Sequence, residues 1–444
     1  MFSLRLCHAL GGKTKEHPLK KPHILLISLE TIRRDHLCCH GYPRDIAPHL
    51  DGLARRGVFC TDAIANCGWT LPQNITLHTG LYPLTHNLTL MREQHPLFAQ
   101  HVTLAEHLKA HGYHTFAGVN SRNQYTAHAN YGFDRGFDEH NPGAGYNQHM
   151  DWTEEFVLSR FRGHHASGPC FIYVHVNDTH EPWDAPEPWR NMWGTSYHSL
   201  YEGEITYTDH YLGRIFSGLK QLGIFDETLI VVFGDHGTEL WEHGFTEKKV
   251  NLYNEILHVP LVFHCPALLP PSLALQGLAE SAQVAPTIVD IAGLPPIASA
   301  QGRSLFPRIR GESRQDLEHV CSHTQHEHQR DGGPVQFDHY AVQTPLHKFI
   351  RLELHAEADA LCGDWKYRTQ AIAVRCRVSP DTLGPGTILR ELYDLRADPK
   401  EGNNLLRESE DGVEEIAMKL QAKLDAWVEA TKAQRPTDAS SRRV

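Results

Sequence analysis

Four short runs of the chain carry apolar side chains almost without interruption: HILLISL (23–29), CFIYVHV (170–176), TLIVVF (228–233) and VPLVFH (259–264). Their length and β-branched content predict strands, and the lack of a polar alternate face predicts burial on both sides. Between them the period becomes helical. Thr103 with Glu106 spells a capping box before a helix that stops at Gly112, and Pro48 opens another that stops at Gly57. Strands alternating with helices predict βαβ units and a mostly parallel sheet as far as about residue 310.

Beyond that point the alternation stops. Residues 312–340 are polar and histidine-rich (His319, His323, His326, His328, His339) and read as a solvated surface loop, with a metal clip as the alternative. Short strand-like pieces follow from 341, then the turn-rich YDLRADPKEGNN, then a helix with Val413, Ile416, Leu420, Leu424, Trp427 and Val428 on one face. The expected organisation is a tail (1–20), an α/β domain (21–340), a C-terminal subdomain with its helix (341–432) and a second tail (433–444).

Composition narrows the function classes. A chain of 444 residues, 41% hydrophobic and 21% charged, has the make-up of a globular protein with room for one large α/β domain and an appendage, or for two domains. Its net charge of −11 supplies no basic field for nucleic acid or an acidic membrane surface, so neither partner is expected. No run of about 18 apolar residues predicts a membrane span. The stretch MFSLRLCHALGGKTKEHPLKKP has Arg5 inside its apolar part and no small-residue cleavage site, and the ten cysteines form no C-x-x-C pair. The expectation is a cytoplasmic chain with buried free thiols, with export as the alternative.

The polar residues that end the strands carry the candidate chemistry. In an open α/β sheet, ligands gather beyond the carboxyl ends of the strands. The first strand runs into Glu30-Thr31, the second into Asn177-Asp178-Thr179-His180, the third into Gly234-Asp235-His236-Gly237. Carboxylates and imidazoles brought to one edge can cage a divalent metal through oxygen and nitrogen. In GWTLPQNITLHTGLYP (68–83), Thr70 stands where an N-cap would, Pro72 lies in the first turn and Gly80 ends the pattern. A Thr70 oxygen at the positive end of that helix, beside Glu30, Asp235 and His236, would serve as a nucleophile.

A family resemblance extends this picture. The segments ILLISLETIRRDHLCCHGYPRDIAPHLDGLARRG (24–57), WTLPQNITLHTGLYPLTHN (69–87), YGFDRGFDEH (131–140), FIYVHVNDTHEPW (171–183), VVFGDHGTELWEHG (231–244), KKVNLYNEILHVPLV (248–262), AQVAPTIVDIAGLPP (282–296), GRSLFPRIRG (302–311) and ELYDLRADPKEGNNL (391–405) are collinear with family blocks. Together they resemble the sulfatases and sulfatase-like hydrolases of the alkaline phosphatase superfamily along nearly the full chain. The resemblance implies a large, mostly parallel sheet sandwiched by helices, with a smaller C-terminal antiparallel subdomain and terminal helix. It also implies that Glu30 is the first metal-binding carboxylate, where most relatives have Asp, and that Asp235 and His236 complete the metal set with Thr70. Thr70 occupies the nucleophile position of the C/S-x-P-x-R motif, and Pro72 matches its proline. His180 resembles the substrate-contacting histidine of D-P-H-x-P, and Lys249, four residues before Tyr253, resembles the lysine that grips anionic oxygens. His243 and Asn120 are added as catalytic and substrate-binding candidates, and Asn74 as a substrate contact in place of the motif arginine.

The departures from the family pattern set the functional expectation. Formylglycine arises from cysteine or serine; oxidising a threonine would give a ketone, so Thr70 cannot become it. Cys67 does not rescue the motif, because Trp69 and Leu71 stand where its proline and arginine belong. The set Glu30, Thr70, Asp235 and His236 is similar to that of phosphoethanolamine and glycerol-phosphate transferases, which use unmodified threonine. The expectation is a metal-dependent hydrolase of a small anionic phosphate ester (diester, monoester or phosphonate) with Thr70 as nucleophile. His180 would protonate the leaving oxygen, and His180 or His243 would activate water. The cofactor is one divalent ion, Zn, Mn or Ca, with two ions as the alternative. The competing readings are a sulfuric ester hydrolase, a transferase and a non-catalytic anion binder.

Overall fold

A computed structural model of the chain describes residues 21–90, 96–120, 131–141, 149–248, 251–327, 335–356, 364–407 and 411–436. The expected tail over 1–20 lies outside them, as does Lys249. The large sheet is built from β1 (His23–Leu29), β2 (Val58–Ile64), β3 (His114–Asn120), β4 (Glu139–Asn141), β5 (Cys170–Val176) and β6 (Thr228–Gly234). A two-stranded hairpin, β7 (Glu239–Leu240) and β8 (Thr246–Glu247), follows, and β9 (His258–Val259), β10 (Leu261–His264) and β11 (Leu273–Glu280) return to the sheet. The order is β11-β2-β10-β6-β1-β5-β3-β4, with β9 pairing β2.

The uninterrupted apolar runs are explained by helices on both faces. Along β1, Ile24 and Leu26 enter one core with Tyr173, Val231 and the helix Thr70–Thr79, while Leu25 and Ile27 enter another with Val174, Val232 and the helices Met150–His164 and Tyr197–Gln221. All four β1 side chains are fully buried, each contributing about 1.5–3 kcal/mol by transfer from water. The strand expected over 259–264 is split by Pro260, and its second half runs antiparallel to β6 and β2. The physical reason is connectivity: after β6 the chain stays at the carboxyl edge through the β7–β8 hairpin and re-enters from that edge, without the crossover a parallel strand needs.

Both expected helix signals are realised. Pro48 opens the helix Pro48–Arg56 at its first turn, and Thr103 and Glu106 form a complete capping box on Leu104–Ala110. The site helix differs in one respect. Trp69 holds the extended N-cap position and Thr70 is the first helical residue, so its hydroxyl does not cap the helix.

The expected surface loop over 312–340 is corrected: β12 (Val320–Glu327) and β13 (Val335–Gln343) form strands there. They pair antiparallel with β14 (His347–Leu354) and β15 (Ile388–Asp394) in a four-stranded sheet that begins at Val320, ahead of the boundary expected at 340. The polar histidines misled because several point inward; His323 and His339 are fully buried. Val413, Ala417, Leu420 and Leu424 of the terminal helix cover one face of this sheet against Tyr340, Val342, Phe349 and Leu392. No helix among the described residues is long and apolar enough to cross a membrane.

Candidate functional site

The register of the central strands assembles the site. Leu29 of β1 lies opposite both Val176 of β5 and Gly234 of β6, so the next residues, Glu30, Asn177 and Asp235, emerge side by side. The ladder continues one step further, with Glu30 N donating to Val176 O at 2.9 Å and Asp235 N to Leu29 O at 3.1 Å. Gly237 then lets the turn pack under residues 253–257: a Cβ there would lie 1.9 Å from Glu255 O, and its N–H donates to Ile256 O.

Thr70 meets this edge from the opposite side. Its Oγ1 donates to Glu30 Oε1 at 2.8 Å and lies 3.1 Å from His236 Nε2. His236 Nδ1 donates to Gly237 O at 2.8 Å, which places the proton on Nδ1 and leaves the Nε2 lone pair facing the threonine. Asp235 Oδ1 accepts the N–H groups of Thr31 and His236, while Oδ2 is buried without a partner. One donor atom each from Glu30, Asp235 and His236 fall within 4.8 Å of one another. Two carboxylates and a neutral imidazole, one with an orphaned buried oxygen, suit a divalent cation of hard or borderline character.

The other group of three potential donors among the described residues is Cys38, Asp45 and Asp51. There both Asp51 oxygens already accept the N–H groups of Cys38 and Cys39. The alternative metal clip of the 312–340 histidines has no such group among the described residues, and the His326 and His328 side chains lie outside them.

His175, which the sequence analysis passed over, and Asn177, which it placed at this edge without a role, complete the Glu30 environment. His175 Nε2 lies 3.2 Å from Glu30 Oε2, and Asn177 Nδ2 donates to the same oxygen. Their signal was the alternation 175/177 on one strand face inside an apolar run, which places both with Glu30. Among the described residues the cation at the site is Lys248, whose Nζ contacts Glu30 Oε1 and stands 3.4 Å from Thr70 Oγ1. The family resemblance pointed instead to its neighbour Lys249, which lies outside the described residues.

His180 lies 3.6 Å from Glu30 Oε1, with Nδ1 held on Glu181 O. Asn74 is buried at the same edge; its Oδ1 accepts from Ser28 Oγ at 3.3 Å and its Nδ2 has no partner. Asn120 and His243 are placed elsewhere. Asn120 donates to Asp178 Oδ2 at 2.6 Å and to Thr153 Oγ1 at 3.2 Å, at the end of β3 with β5 between it and Glu30. His243 stacks on Tyr253 at 3.9 Å and lies 3.3 Å from Glu239 Oε1, within the packing against the C-terminal subdomain.

Electrostatics separate the two site carboxylates. Burial alone would raise both. For Glu30 this is outweighed by Lys248, His180 and His175, which hold it well below the usual carboxylate range. Asp235 is pushed up by burial and then by the Glu30 charge. Burial, reinforced by Lys248, lowers His236 and His180, so both imidazoles are neutral at neutral pH.

Comparisons with known proteins meet this geometry. The family model Sulfatase matches residues 22–294, and the model for N-sulphoglucosamine sulphohydrolase, C-terminal, matches residues 241–364. An ulvan-active sulfatase of Formosa agariphila is 22% identical over 486 residues, covering 95% of this chain and 77% of that protein. An N-acetylglucosamine-6-O-sulfatase of Bacteroides thetaiotaomicron is 25% identical over 210 residues, covering 47% of this chain but only 32% of that relative's own length. The phosphonate monoester hydrolase of Agrobacterium radiobacter superposes with a TM-score of 0.73 at 20% identity, covering 93% of this chain and 96% of that one, a likeness of fold. With a family model spanning the whole large sheet and the edge that carries Glu30, Thr70, Asp235 and His236, the chain belongs to the sulfatase family of ester hydrolases in the alkaline phosphatase superfamily.

Proposed function

We propose that this chain hydrolyses a phosphate ester (diester, monoester or phosphonate), with unmodified Thr70 as its nucleophile. The observation that carries this reading is the position of Thr70 Oγ1, between Glu30 Oε1 and His236 Nε2 and 3.4 Å from Lys248 Nζ. Two acceptors face its proton and one cation favours its alkoxide.

Glu30, Asp235 and His236 would hold a divalent cation, with Thr70 at its edge. Such an ion supplies Lewis-acid stabilisation of negative charge on oxygen. Asn177 and His175 fix the second Glu30 oxygen, so that Oε1 remains directed at the threonine. Lys248 meets the charge on the transferring group's oxygens, a preorganised contribution of the kind that dominates phosphoryl transfer.

In the first step an O–P bond forms at Thr70 and the P–O bond to the alcohol breaks, the threonine proton ending on the departing oxygen. Water then cleaves the phospho-threonine. His180 is the base for that water: its Nδ1 proton is engaged by Glu181 O, so Nε2 offers a lone pair. This assigns His180 to the second step rather than to protonation of the leaving oxygen. His243 takes no part.

Turnover of matched aryl phosphate, phosphonate and sulfate esters, with added divalent ions, tests the substrate class. Faster phosphate or phosphonate hydrolysis is expected. The sulfatase names among the relatives favour a second reading, a sulfuric ester hydrolase, and dominant sulfate turnover would establish it in place of the first.

A further inference from the structure

We propose that the exposed indole of Trp241 is a stacking subsite for a neutral ring in the organic half of the ester, beside the mouth of the Thr70 site. This rests on the ester-hydrolase reading above and names the part of the substrate that the anion-binding residues leave unrecognised.

The mouth is located by exposure. Glu30, Thr70, Asp235 and His236 are buried, whereas the side chains of His180 and Lys248 are 20% and 16% exposed. A substrate therefore enters between residue 180 and residue 248. Tyr197 lies on the His180 side of this gap, packed against Trp183, which is anchored to Thr179 O next to His180. The Tyr197 ring stands 4.4 Å from Trp183 and 6.4 Å from Trp241, making an aromatic row along the rim. The inner member, Trp183, is buried and donates its indole N–H to Thr179 O at 3.1 Å. The outer member, Trp241, is 61% exposed, the most exposed tryptophan or phenylalanine among the described residues with large exposed apolar side chains.

This exposure is held in place. The hairpin 239–247 is bolted by two buried guanidinium groups. Arg33 donates to Thr238 O at 3.1 Å and to Glu242 Oε1. Arg368, from the helix Asp364–Arg375, donates to Glu239 Oε2 at 3.1 Å and to Thr246 O, with its guanidinium 4.6 Å from the Phe245 ring. Trp241 itself closes the turn, its N–H donating to Phe245 O and its O accepting from Gly244 N, with φ at +78°. That left-handed backbone is unfavourable for a bulky residue, and the clamp maintains it.

A flat indole fixed on a rigid support can stack without a large ordering cost, and it suits a planar aryl ring or the C–H face of a sugar. Glu181 and Glu247, the chain neighbours of His180 and Lys248, disfavour an anionic organic group, so the ring is neutral. The same hairpin ends in Lys248, so ring and anion would be gripped by one rigid segment.

The test uses the full chain, its Trp241→Ala and Trp241→Phe variants, and phenyl, pyranosyl and n-propyl esters of one acid group. Calorimetric binding of phenylphosphonate and propylphosphonate runs alongside. Trp241→Ala is expected to raise KM for a ring-bearing ester about tenfold, with kcat within about twofold, and to leave the propyl ester unchanged. Trp241→Phe should restore most of the loss. Which ring loses affinity, aryl or pyranosyl, identifies the source. Equal effects on all three esters, or no effect on either ring, overturn the subsite while leaving the Thr70 reading intact. If the wild-type protein turns over no ester, the hydrolase reading fails; the subsite is then decided by calorimetry, where equal phenyl and propyl affinities in wild type overturn it.

Discussion

Two clusters in this molecule join a buried carboxylate to two imidazoles, and they end in opposite states. In the C-terminal sheet, Asp338 lies between His323 and His355, with Oδ1 2.7 Å from His323 Nε2 and Oδ2 2.9 Å from His355 Nε2. Both oxygens are used. At the edge of the large sheet, Glu30 is equally well held, yet beside it Asp235 Oδ2 and Asn74 Nδ2 are buried without partners and the His236 lone pair faces a hydroxyl. Burying a polar group without a partner costs about 1–3 kcal/mol, and at this edge such leftovers coincide with three potential metal donors within 4.8 Å of one another. The carboxylate whose oxygens are both used belongs to the architecture, although His323 Nδ1 beside it is buried without a partner; the one with a spare oxygen sits among three potential metal donors.

Substitutions should break the two clusters differently. The largest effect is expected from Thr70→Ala, which removes the proposed nucleophile: kcat should fall by about a thousandfold or more, read in steady-state turnover, with substrate binding still measurable. Next is Lys248→Ala, expected to lower kcat/KM by about a hundredfold, a larger loss than the same change at Lys249. Removing the cation with a chelator should abolish turnover reversibly. Readdition should raise the melting temperature of the wild-type chain, and the shift should be lost in Asp235→Asn.

The C-terminal cluster should respond in stability instead. Asp338→Asn is expected to cost about 1–3 kcal/mol in denaturant unfolding while kcat stays within about twofold. Its pH dependence has a definite sign. Burial would raise the Asp338 carboxyl, but the His323 and His355 contacts outweigh this and depress it below its unfolded value. Its stabilisation is therefore present above about pH 4 and lost as pH falls further, a loss the Asn variant should lack. The smallest effect on activity is expected from His243→Gln, whose contacts with Tyr253 and Glu239 are structural: turnover within about twofold, with a stability cost of about 1 kcal/mol.

Most of the candidate site was legible in the sequence because strand ends converge by topology. Once β1, β5 and β6 were recognised as buried strands, Glu30, Asp235 and His236 had to share an edge with whatever followed Val176. Thr70 was legible from Pro72 and Gly80 as the start of a helix, though its hydroxyl is used across the site rather than as a cap. Lys248 was harder, since nothing in the sequence separates it from the lysine beside it, and its place is known only from the contact of its Nζ with Glu30. His175 was hidden inside an apolar strand, where a histidine reads as core. The strands over 320–343 were missed because their inward polar residues, His323 and His339 among them, mimic a solvated stretch.

The central claim concerns one covalent bond, and intact-protein mass spectrometry after rapid quenching of a turnover reaction with an aryl phosphate ester reads it directly. A mass increase of one phosphoryl group, mapped by peptide fragmentation to Thr70 and absent from Thr70→Ala, is the expected result. Turnover that persists in Thr70→Ala, or an adduct on any other residue, would contradict it.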